Sequence, residues 1–596
     1  MINRFGNMEL KNENRKTKTD ILEFRNVSFK YPLADEKALD NISFHVRPSE
    51  FLLVCGKSGC GKTTLLRHIK KNLIPYGVFN GKVLYNGETV SDLDDRRSTS
   101  EIGFVRQNPD NQIVTDQVWH ELAFGLESLG IENSVIKRRV AEMASYFDIQ
   151  TWFRKKVNKL SGGQKQLMNL ASVMAMQPEL LVLDEPTSQL DPIAASEFLN
   201  TVYKINRNLG TTVIISEHRL EEVFTMADRV MVMDGGRIVA FDKPREIGSR
   251  MAGNRSSERN PMFYGLPSVM RIFHEAGGVG SSPLTIREGR LWVKEVMKNS
   301  GISSACRDGT KIKDSHIVTQ NDYAREDFRC ESMNLIDKLN KNDSKGNLSQ
   351  TLSAKNLWFR YDKKSDYILR GMNLNLRQGE LFCLLGGNGS GKSTLLKALS
   401  GIIKCQRGDI KANGGIAMLP QNPQALFTEI TTEEDLLEAL YYSHISDEEK
   451  VERVESMLNK MEIIHLRKSH PYDLSGGEQQ RLALGKVLLL NPDIILLDEP
   501  TKGLDPFFRL SLARVLKDLK TEGRTIFMVS HDIEFCAENA DICAMLFDGD
   551  IISVDNPVKF FSGNNFYTTT ANMMVREYFP NAVTWREVVR CIRESI

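Results

Sequence analysis

The chain reads Gly56-Lys57-Ser58-Gly59-Cys60-Gly61-Lys62-Thr63 between an apolar run (residues 51–55) and a helix-like run (residues 64–71). This stretch fits the pattern G-x-x-x-x-G-K-[ST], and its flanks predict a strand before it and a helix after it. Glycines allow backbone N–H groups to turn inward on phosphate oxygens, and the N-terminus of the following helix adds a favourable dipole. The stretch therefore predicts a phosphate-binding loop in an α/β fold.

The same pattern returns as Gly386-Gly387-Asn388-Gly389-Ser390-Gly391-Lys392-Ser393, again after an apolar run. In such loops the lysine reaches the β- and γ-phosphates, and the last hydroxyl ligates Mg²⁺. We therefore expect these roles for Lys62 and Thr63 in the first loop and for Lys392 and Ser393 in the second. The next residues, Thr64 and Thr394, complete the two predicted nucleotide-binding segments.

Most of the chain is an internal repeat. FRNVSFKYP near residue 25 returns as AKNLWFRYD near residue 354, LSGGQKQ returns as LSGGEQQ, and LLVLDEPTSQLDP returns as IILLDEPTKGLDP. Gly386 follows Gly56 by 330 positions, whereas Ser475 follows Ser161 by 314, so the first copy is 16 residues longer between these motifs. Two copies of one domain are therefore expected.

Acidic residues end a buried strand in each copy. Asp184 and Asp498 each follow four apolar residues, and the carboxyl end of a buried strand is where α/β sheets hold ligands. Either carboxylate can hold Mg²⁺ directly or through water. Glu185 and Glu499 come next and can polarise the water that attacks a γ-phosphorus, a role typically worth ~10²–10⁴ in rate.

Leu-Ser-Gly-Gly-Gln (160–164) and Leu-Ser-Gly-Gly-Glu (474–478) resemble the signature motif of the ATP-binding-cassette family. The resemblance covers roughly residues 21–250 and 351–560. It implies an α/β fold of tandem P-loop NTPase domains, each with a helical signature subdomain, and ATP hydrolysis with Mg²⁺. In this family two domains sandwich two ATP molecules head to tail, so that each ATP lies between the phosphate loop of one domain and the signature of the other.

The resemblance implies two composite sites. The first combines Lys62, Thr63, Gln107, Asp184, Glu185 and His218 with Ser475, Gly476 and Gly477. The second combines Lys392, Ser393, Gln421, Asp498, Glu499 and His531 with Ser161, Gly162 and Gly163. Both sites keep their lysine, glutamate and histidine, so we expect both to hydrolyse ATP.

Further family positions can be carried over in pairs. They are the Q-loop glutamines Gln107 and Gln421, which sense Mg²⁺ and touch the membrane partner, the adenine-stacking Tyr31 and Tyr361, the D-loop Asp191 and Asp505, and the switch histidines His218 and His531. One departure is that Arg481 follows the second signature where the first has Leu167, so the first signature helix is expected to pack differently.

Cys60 lies inside the first phosphate loop. We interpret it as a tolerated small residue; the sharper hypothesis is that thiol reagents block the first site only. The chain has 9 cysteines without a CxxC pair, which indicates reduced thiols instead of a disulfide framework or zinc site.

Composition adds limits. Charged residues make up 26% and hydrophobic residues 41% of 596, with a net charge of +1, so nothing global favours nucleic-acid binding. No apolar run reaches 18 residues, and residues 1–20 are polar without the apolar core of a secretory signal. Any membrane role would therefore need docking on a partner, at the cytoplasmic face and as a peripheral subunit.

The predicted domain organisation has six parts. They are a flexible tail (1–20), a first cassette (21–250) with a C-terminal appendage (251–300), a linker (301–350) with local helix around 327–339, a second cassette (351–560) and its appendage (561–596). The appendages are inferred from a weak echo, since both begin Phe-Tyr, at Phe263 and Phe566, and reach Thr-x-Arg-Glu.

The sequence after Gln107, Asn-Pro-Asp-Asn-Gln, resembles the Q-loop of energy-coupling-factor ATPases, as do residues 216–221 and the appendages. The second Q-loop, Gln421-Asn-Pro-Gln, lacks the aspartate, so the halves are expected to meet a membrane partner unequally. The resemblance implies a transmembrane coupling subunit, a small substrate-binding membrane subunit and a cargo that is a vitamin, a vitamin precursor or a metal ion.

Two other classes of cassette protein are less compatible with the sequence. A soluble tandem cassette acting on the ribosome usually carries a helical, strongly charged linker, whereas residues 251–350 are mixed in character. A DNA-repair cassette would need long coiled-coil insertions, and no sustained heptads occur. The ribosomal class remains the alternative.

Overall fold

The computed structural model describes residues 20–32, 34, 36–253, 260–300, 350–387, 389–565 and 567–596. Most of the predicted tail, almost all of the predicted linker with its local helix, and the predicted site residue Asn388 lie outside these ranges. So does Phe566, the first residue of the echoed Phe-Tyr segment in the second appendage.

Each half contains a six-stranded sheet and a smaller antiparallel sheet. The strands of the first half are β1 (Leu22–Lys30), β2 (Leu39–Val46), β3 (Phe51–Gly56), β4 (Val78–Tyr85), β5 (Glu88–Thr89), β6 (Ile102–Val105), β7 (Leu180–Asp184), β8 (Thr212–Ser216), β9 (Arg229–Asp234) and β10 (Arg237–Asp242). Those of the second half are β11 (Gln350–Phe359), β12 (Leu369–Arg377), β13 (Leu381–Gly386), β14 (Arg407–Ala412), β15 (Ile416–Leu419), β16 (Ile494–Asp498), β17 (Thr525–Val529), β18 (Ile542–Phe547) and β19 (Asp550–Asp555).

Helices surround these sheets. In the first half they are α1 (Lys62–Arg67), α2 (Asp95–Glu101), α3 (Val118–Ser128), α4 (Asn133–Tyr146), α5 (Gly162–Ala175), α6 (Pro192–Lys204), α7 (Leu220–Met226), α8 (Pro244–Ala252), α9 (Ser268–Glu275) and α10 (Ile286–Asn299). In the second half they are α11 (Lys392–Leu399), α12 (Thr432–Ala439), α13 (Asp447–Lys460), α14 (Gly476–Leu489), α15 (Pro506–Thr521), α16 (Ile533–Asn539), α17 (Pro557–Gly563), α18 (Thr570–Val575) and α19 (Trp585–Ser595).

The six-stranded sheets have the same topology in both halves. Their orders are β10-β9-β3-β8-β7-β6 and, from the opposite edge, β15-β16-β17-β13-β18-β19, parallel except for the pairs β9–β10 and β18–β19. The central strands β3, β7 and β8 are buried along their whole length, because helices cover one face of the sheet and α1 with the smaller antiparallel sheet covers the other. Their carboxyl ends meet at one edge, which brings together the segments that follow them.

The helix after the first phosphate loop differs from its predicted span of 64–71. Helix α1 begins at Lys62 and ends at Arg67, and a separate 3₁₀ turn follows at Lys71–Leu73. The early start follows from Gly61, whose φ of 97° places it in the left-handed region where glycine is favoured. A Cβ at this position would collide with the carbonyl oxygen of Ala38.

The two appendages pack against each other and form one hydrophobic cluster, here called the shared core. It contains Val269, Ile272, Ala276, Val293 and Met297 of the first half and Ala571, Met574, Val575, Ala582, Trp585, Val588, Val589 and Ile592 of the second. Arg290 Nε also donates to the carbonyl of Met573 at 2.6 Å. The C-terminal segments therefore join the two halves.

Each appendage is also tied to the helix that follows a switch histidine. Glu221 on α7 accepts hydrogen bonds from the backbone and hydroxyl of Ser268, at the start of α9, at 2.8 and 2.7 Å. Glu534 on α16 likewise accepts from the backbone of Thr570, at the start of α18, at 2.7 Å. These glutamates satisfy amide groups that a helix N-terminus leaves without partners. Within the described ranges, no helix combines the length and apolar character needed to cross a bilayer.

Candidate functional site

The phosphate loops have matching geometry in the two halves. Lys62 is buried at the start of α1, and its Nζ donates to the carbonyls of Gly56 at 3.1 Å and Lys57 at 3.0 Å. Lys392 makes the equivalent bonds to Gly386 and Gly387, both at 2.9 Å. Each ammonium group is thus held over its own loop, where it can meet the phosphates of a nucleotide.

The predicted magnesium ligands converge beside each loop. Thr63 Oγ1 lies 3.1 Å from Asp184 Oδ1, and burial raises the pKa of Asp184 to about 6. In the second half burial raises the pKa of Asp498, a shift opposed by a hydrogen bond from Ser393, and Asp498 Oδ1 has no hydrogen-bond partner among the described residues. Hydroxyl and carboxylate oxygens are the donor set that Mg²⁺ takes alongside phosphate oxygens. The residues therefore fit a magnesium–nucleotide complex.

Glu185 lies at the centre of the first site. His218 Nε2 is 2.8 Å from Glu185 Oε1, Gln107 Nε2 donates to Oε2 at 2.9 Å, and Lys62 Nζ is 3.6 Å away. Burial favours the neutral acid, but the charges and hydrogen bonds of His218 and Lys62 outweigh it and hold the pKa of Glu185 at about 2. The structure thus brings four of the predicted first-site residues into contact.

Glu499 has a different environment in the second site. Its Oε2 accepts from the backbone N–H of His531 at 3.1 Å, and His531 Nε2 lies 3.3 Å from Oε1. Burial raises the pKa of Glu499 to about 7, and burial with the nearby Lys392 lowers the pKa of His531 to about 4. Gln421 is exposed, unlike Gln107, which bonds to its glutamate. The hydrogen-bond partners of the two glutamates, and the direction in which their pKa values shift, therefore differ between the two sites.

Both candidate bases have a left-handed backbone. The φ angles of Glu185 and Glu499 are 43° and 54°. This region is unfavourable for residues other than glycine, and backbone strain of this kind concentrates at functional sites. Each glutamate follows directly on a central strand, so the turn aims its carboxylate across the carboxyl edge of the sheet.

The signature of the second half faces the phosphate loop of the first. A Cβ added at Gly477 would lie 3.5 Å from Ser58 Oγ, and one added at Gly476 would lie 3.5 Å from Gln107 Nε2. Ser58 N–H also donates to Asp505 Oδ2 at 3.0 Å. The structure therefore brings Ser58 and Gln107 of the first half close to Gly476, Gly477 and Asp505 of the second.

The second composite site is less tightly assembled in the described residues. A Cβ at Gly162 would meet nothing within 4 Å, and one at Gly163 would contact Ala194 and Leu190 of its own half. The negative charge of Asp191 nevertheless acts on Lys392 and His531 across the junction. The structure thus places the D-loop of the first half beside the second site, and among the described residues, which exclude Asn388 of that phosphate loop, the signature glycines of the first half make no close approach to the site.

Both signature serines begin a helix. Ser161 and Ser475 are the N-caps of α5 and α14, each in a capping box with the residue three positions on, Gln164 or Glu478. A capping box satisfies two free N–H groups and fixes the first turn. The serines consequently have a structural role in addition to any contact with phosphate.

The predicted adenine-stacking tyrosines lie beside the phosphate loops. Tyr31 Oη is 3.1 Å from Thr64 Oγ1, and Tyr361 Oη is 3.5 Å from Thr394 Oγ1. Tyr361 is exposed and Tyr31 is half-buried. Their hydroxyl groups therefore contact the helix that follows each phosphate loop.

Two sequence expectations about single residues have structural counterparts. Cys60 is buried and burial raises the pKa of its thiol, which favours the interpretation as a small packing residue over reactivity. Arg481 is buried, with its guanidinium 5.0 Å from the ring of Phe508, whereas Leu167 packs against the first hydrophobic core. The two signature helices therefore do pack differently at this position.

Sequence reasoning missed the role of Glu217, which stands where the second half has Ser530. Its Oε1 accepts from the backbone and hydroxyl of Thr187 at 3.0 and 2.7 Å, in the turn after Glu185. Burial raises the pKa of Glu217 to about 7. The sequence did contain a signal for this role. The first copy reads Ser-Glu-His where the second reads Val-Ser-His, so an additional acid stands next to the switch histidine of the first copy only.

Glu217→Gln is expected to stabilise the first half at pH 8 and to change little at pH 4. The folded-state pKa exceeds the ordinary value, so ionisation costs stability as pH rises above about 4.5, and the cost is complete above about 7. Glutamine keeps the oxygen that accepts from Thr187. Thermal unfolding at both pH values should show a rise of several degrees at pH 8 only; an equal shift at pH 4 would contradict the ionisation argument.

The ABC transporter family profile matches residues 39–188 and 369–502. A relative from Bacillus anthracis named as an ABC transporter ATP-binding protein is 40% identical over 96% of this chain and 98% of its own length. One of the same description from Methanosarcina acetivorans is 33% identical over 89% of this chain and 84% of its own.

Among solved structures, cbiO1 from Clostridium perfringens, described as part of the ABC transporter complex cbiONQ, is 29% identical, with a TM-score of 0.36 over 40% of this chain and 92% of that one. The two family matches and the near full-length relatives agree with the α/β fold, the internal repeat and the paired phosphate loops. This chain belongs to the ABC transporter ATP-binding family, with two ABC ATPase domains in one polypeptide.

Proposed function

We propose that this chain is the ATP-hydrolysing motor of an energy-coupling-factor type membrane transporter that takes up a micronutrient. It would act at the cytoplasmic face of the membrane with a transmembrane coupling subunit and a small substrate-binding membrane subunit. The cargo class is a vitamin, a vitamin precursor or a metal ion. One observation carries the proposal, namely that the first phosphate loop meets the signature and D-loop of the other half.

This arrangement supports hydrolysis at a closed junction. ATP bound between Lys62 and the second signature bridges the two halves and favours their closure. Glu185 holds and polarises the attacking water, while Lys62 stabilises charge on the γ-phosphate. Mg²⁺ held by Thr63 and Asp184, with Gln107 nearby, would neutralise phosphate charge when bound. The second site would use Lys392, Ser393, Asp498, Gln421, Glu499 and His531 in the same way.

Energy from closure has a structural route to the Q-loop in the first half. Gln107 bonds to Glu185 at one end of this loop, and Lys165 of the signature helix pairs with Asp110 at 2.7 Å further along it. Asn169 also donates to the carbonyl of Pro109 at 3.1 Å. A change at the γ-phosphate can therefore move both the Q-loop and the signature helix, which is the surface that we assign to the membrane partner.

The two halves present different side chains beside their Q-loops. In the first half the backbone of Val118 donates to Lys155 and that of Val157 to Asp116, which places Trp119, 43% exposed, next to exposed Lys155 and Lys156. In the second half Thr432 and Glu433 pair in the same way with Ser469 and Arg467. There the exposed residues are Glu434, Lys468 and His470, and Ser469 is half-buried. Unequal docking on an asymmetric membrane partner agrees with this contrast.

Lys155→Glu combined with Lys156→Glu is expected to reduce recovery of membrane partners in a mild-detergent pull-down severalfold. The difference from the parent chain should shrink as salt is raised, because contacts between exposed charges are screened. Arg138→Glu, at an exposed position of α4, is the control and should leave recovery unchanged. Equal losses for both variants would mean that net charge alone explains the effect.

The proposal itself is tested by pull-down of the tagged full chain from its own cells. Co-purification of a multispanning protein and a small membrane protein, with ATPase activity in the complex, is the expected result. Recovery with ribosomal proteins and without membrane partners would overturn the transport assignment in favour of the soluble tandem cassette. The assignment as an ABC ATPase would be unaffected by either outcome.

A further inference from the structure

The first half contacts the start of helix α15 of the second half at several points. Asp505 accepts from Ser58 N–H at 3.0 Å, and Lys57 Nζ lies 4.6 Å from the centre of the Phe507 ring. Phe507 also packs against the hydrophobic core of the first half. A Cβ at Gly265, near the first appendage, would lie 2.9 Å from Pro506. Three consecutive residues of the second half are thus contacted by the first.

The equivalent position in the other copy of the repeat lacks the lysine and the aromatic residue that make these contacts. Asp191-Pro192-Ile193 begins helix α6, as Asp505-Pro506-Phe507 begins α15. Ile193 is 71% exposed and offers no aromatic ring. The residue equivalent to Lys57 is Gly387, which has no side chain to reach across. This difference between the two junctions is therefore a difference in residue type and holds in any conformation of the chain.

Lys57 and Phe507 border the first composite site directly. Lys57 belongs to the phosphate loop and supplies a carbonyl to Lys62, and Phe507 follows the D-loop aspartate that bonds to Ser58. A cation over a partly desolvated ring stabilises a contact by a factor of about five to thirty. A contact of this size between the two halves would oppose their separation at the first site only.

We infer that Lys57 and Phe507 form a latch that keeps the first composite site closed while the second opens to exchange nucleotide. The inference rests on the two composite sites proposed above. Nucleotide then leaves the second site in every cycle, whereas the first site retains it longer. Phe507 is a positioning residue in this scheme, because it acts on nucleotide only through Lys57 and the phosphate loop.

The test uses release of a fluorescent ATP analogue from the full chain carrying Glu185→Gln and Glu499→Gln, so that hydrolysis does not intervene. The protein is loaded with the analogue and Mg²⁺ and then chased with excess ATP. Two release phases are expected, of which only the slow one should survive Lys392→Ala. In this background Phe507→Ala should accelerate the slow phase about fivefold to thirtyfold and leave the fast phase unchanged.

Matched variants separate the latch from general damage. Ile193→Ala changes the equivalent position in the other copy and should leave both phases unchanged, and Phe507→Trp, which keeps an aromatic face, should preserve the slow phase. If Phe507→Ala does not fold, Gly387→Lys with Ile193→Phe should instead slow the fast phase. A single phase in the parent protein, or equal effects of Phe507→Ala and Ile193→Ala, would overturn the inference. Absence of any nucleotide binding would instead contradict the proposed function.

Discussion

Replacing both Glu185 and Glu499 by glutamine is expected to lower ATP hydrolysis by about 10²–10⁴-fold while leaving ATP binding intact. Each glutamate directly follows a central strand, has a left-handed backbone and lies against its switch histidine, at 2.8 Å in the first site and 3.3 Å in the second. Glutamine is nearly isosteric, so the loss would report the negative oxygen that polarises water. Steady-state phosphate release and equilibrium ATP binding measure the two effects separately.

The single variants give the experiment its resolution. Glu185→Gln and Glu499→Gln should each leave measurable hydrolysis if the intact site works alone, and the double variant should remove it. Glu222→Gln, at an exposed position of α7, is the control and should keep full activity. Retention of more than about a tenth of the activity in the double variant would mean that these glutamates do not activate the water.

Ile592→Ala is expected to destabilise the shared core of the appendages by about 2–5 kcal/mol, because it leaves a cavity between elements of the two halves. Ile592 is fully buried in α19, in one cluster with Val269 and Ile272 of the first half. Hydrogen exchange of the amides in α9, α10, α18 and α19 measures the loss locally. A local probe is preferable because a chain with several domains need not unfold in one step.

Leu291→Ala supplies the comparison for this experiment. Leu291 is in α10, another helix of the appendages, but it is 60% exposed, so its truncation should change the free energy of exchange by less than about 0.5 kcal/mol. If Ile592→Ala affected only α19, the appendages would not form one cooperative unit. Faster exchange in helices of both halves is the result that supports a shared core.

How far the sequence predicted the molecule depended on the kind of interaction. The phosphate loops, the strand-ending acids and the repeat were readable because each is a local pattern whose geometry follows from a few adjacent residues. The predicted span of the helix after Thr63 was wrong at its end, since α1 stops at Arg67 and a separate 3₁₀ turn follows at Lys71–Leu73. Local patterns thus gave elements more reliably than their boundaries.

Contacts between the halves could not be read from local patterns. Lys57 and Phe507 are 450 positions apart, and nothing in either neighbourhood indicates that they meet. The same holds for the pairing of the appendages. The weak echo in the sequence indicated only that each half carries an appendage, not that the two would pack together. The differing environments of Glu185 and Glu499 also depend on side chains brought together by the tertiary structure, with pKa values of about 2 and about 7.

The shared core also sets the kinetic order of nucleotide-driven closure. Because α9 and α10 stay packed on α18 and α19, each phosphate loop always has its opposing signature within reach. Tethering of this kind replaces an encounter between free partners by a high effective concentration, in the millimolar range for short flexible links. Closure is then a unimolecular event, and the activity per molecule should not fall when the protein is diluted.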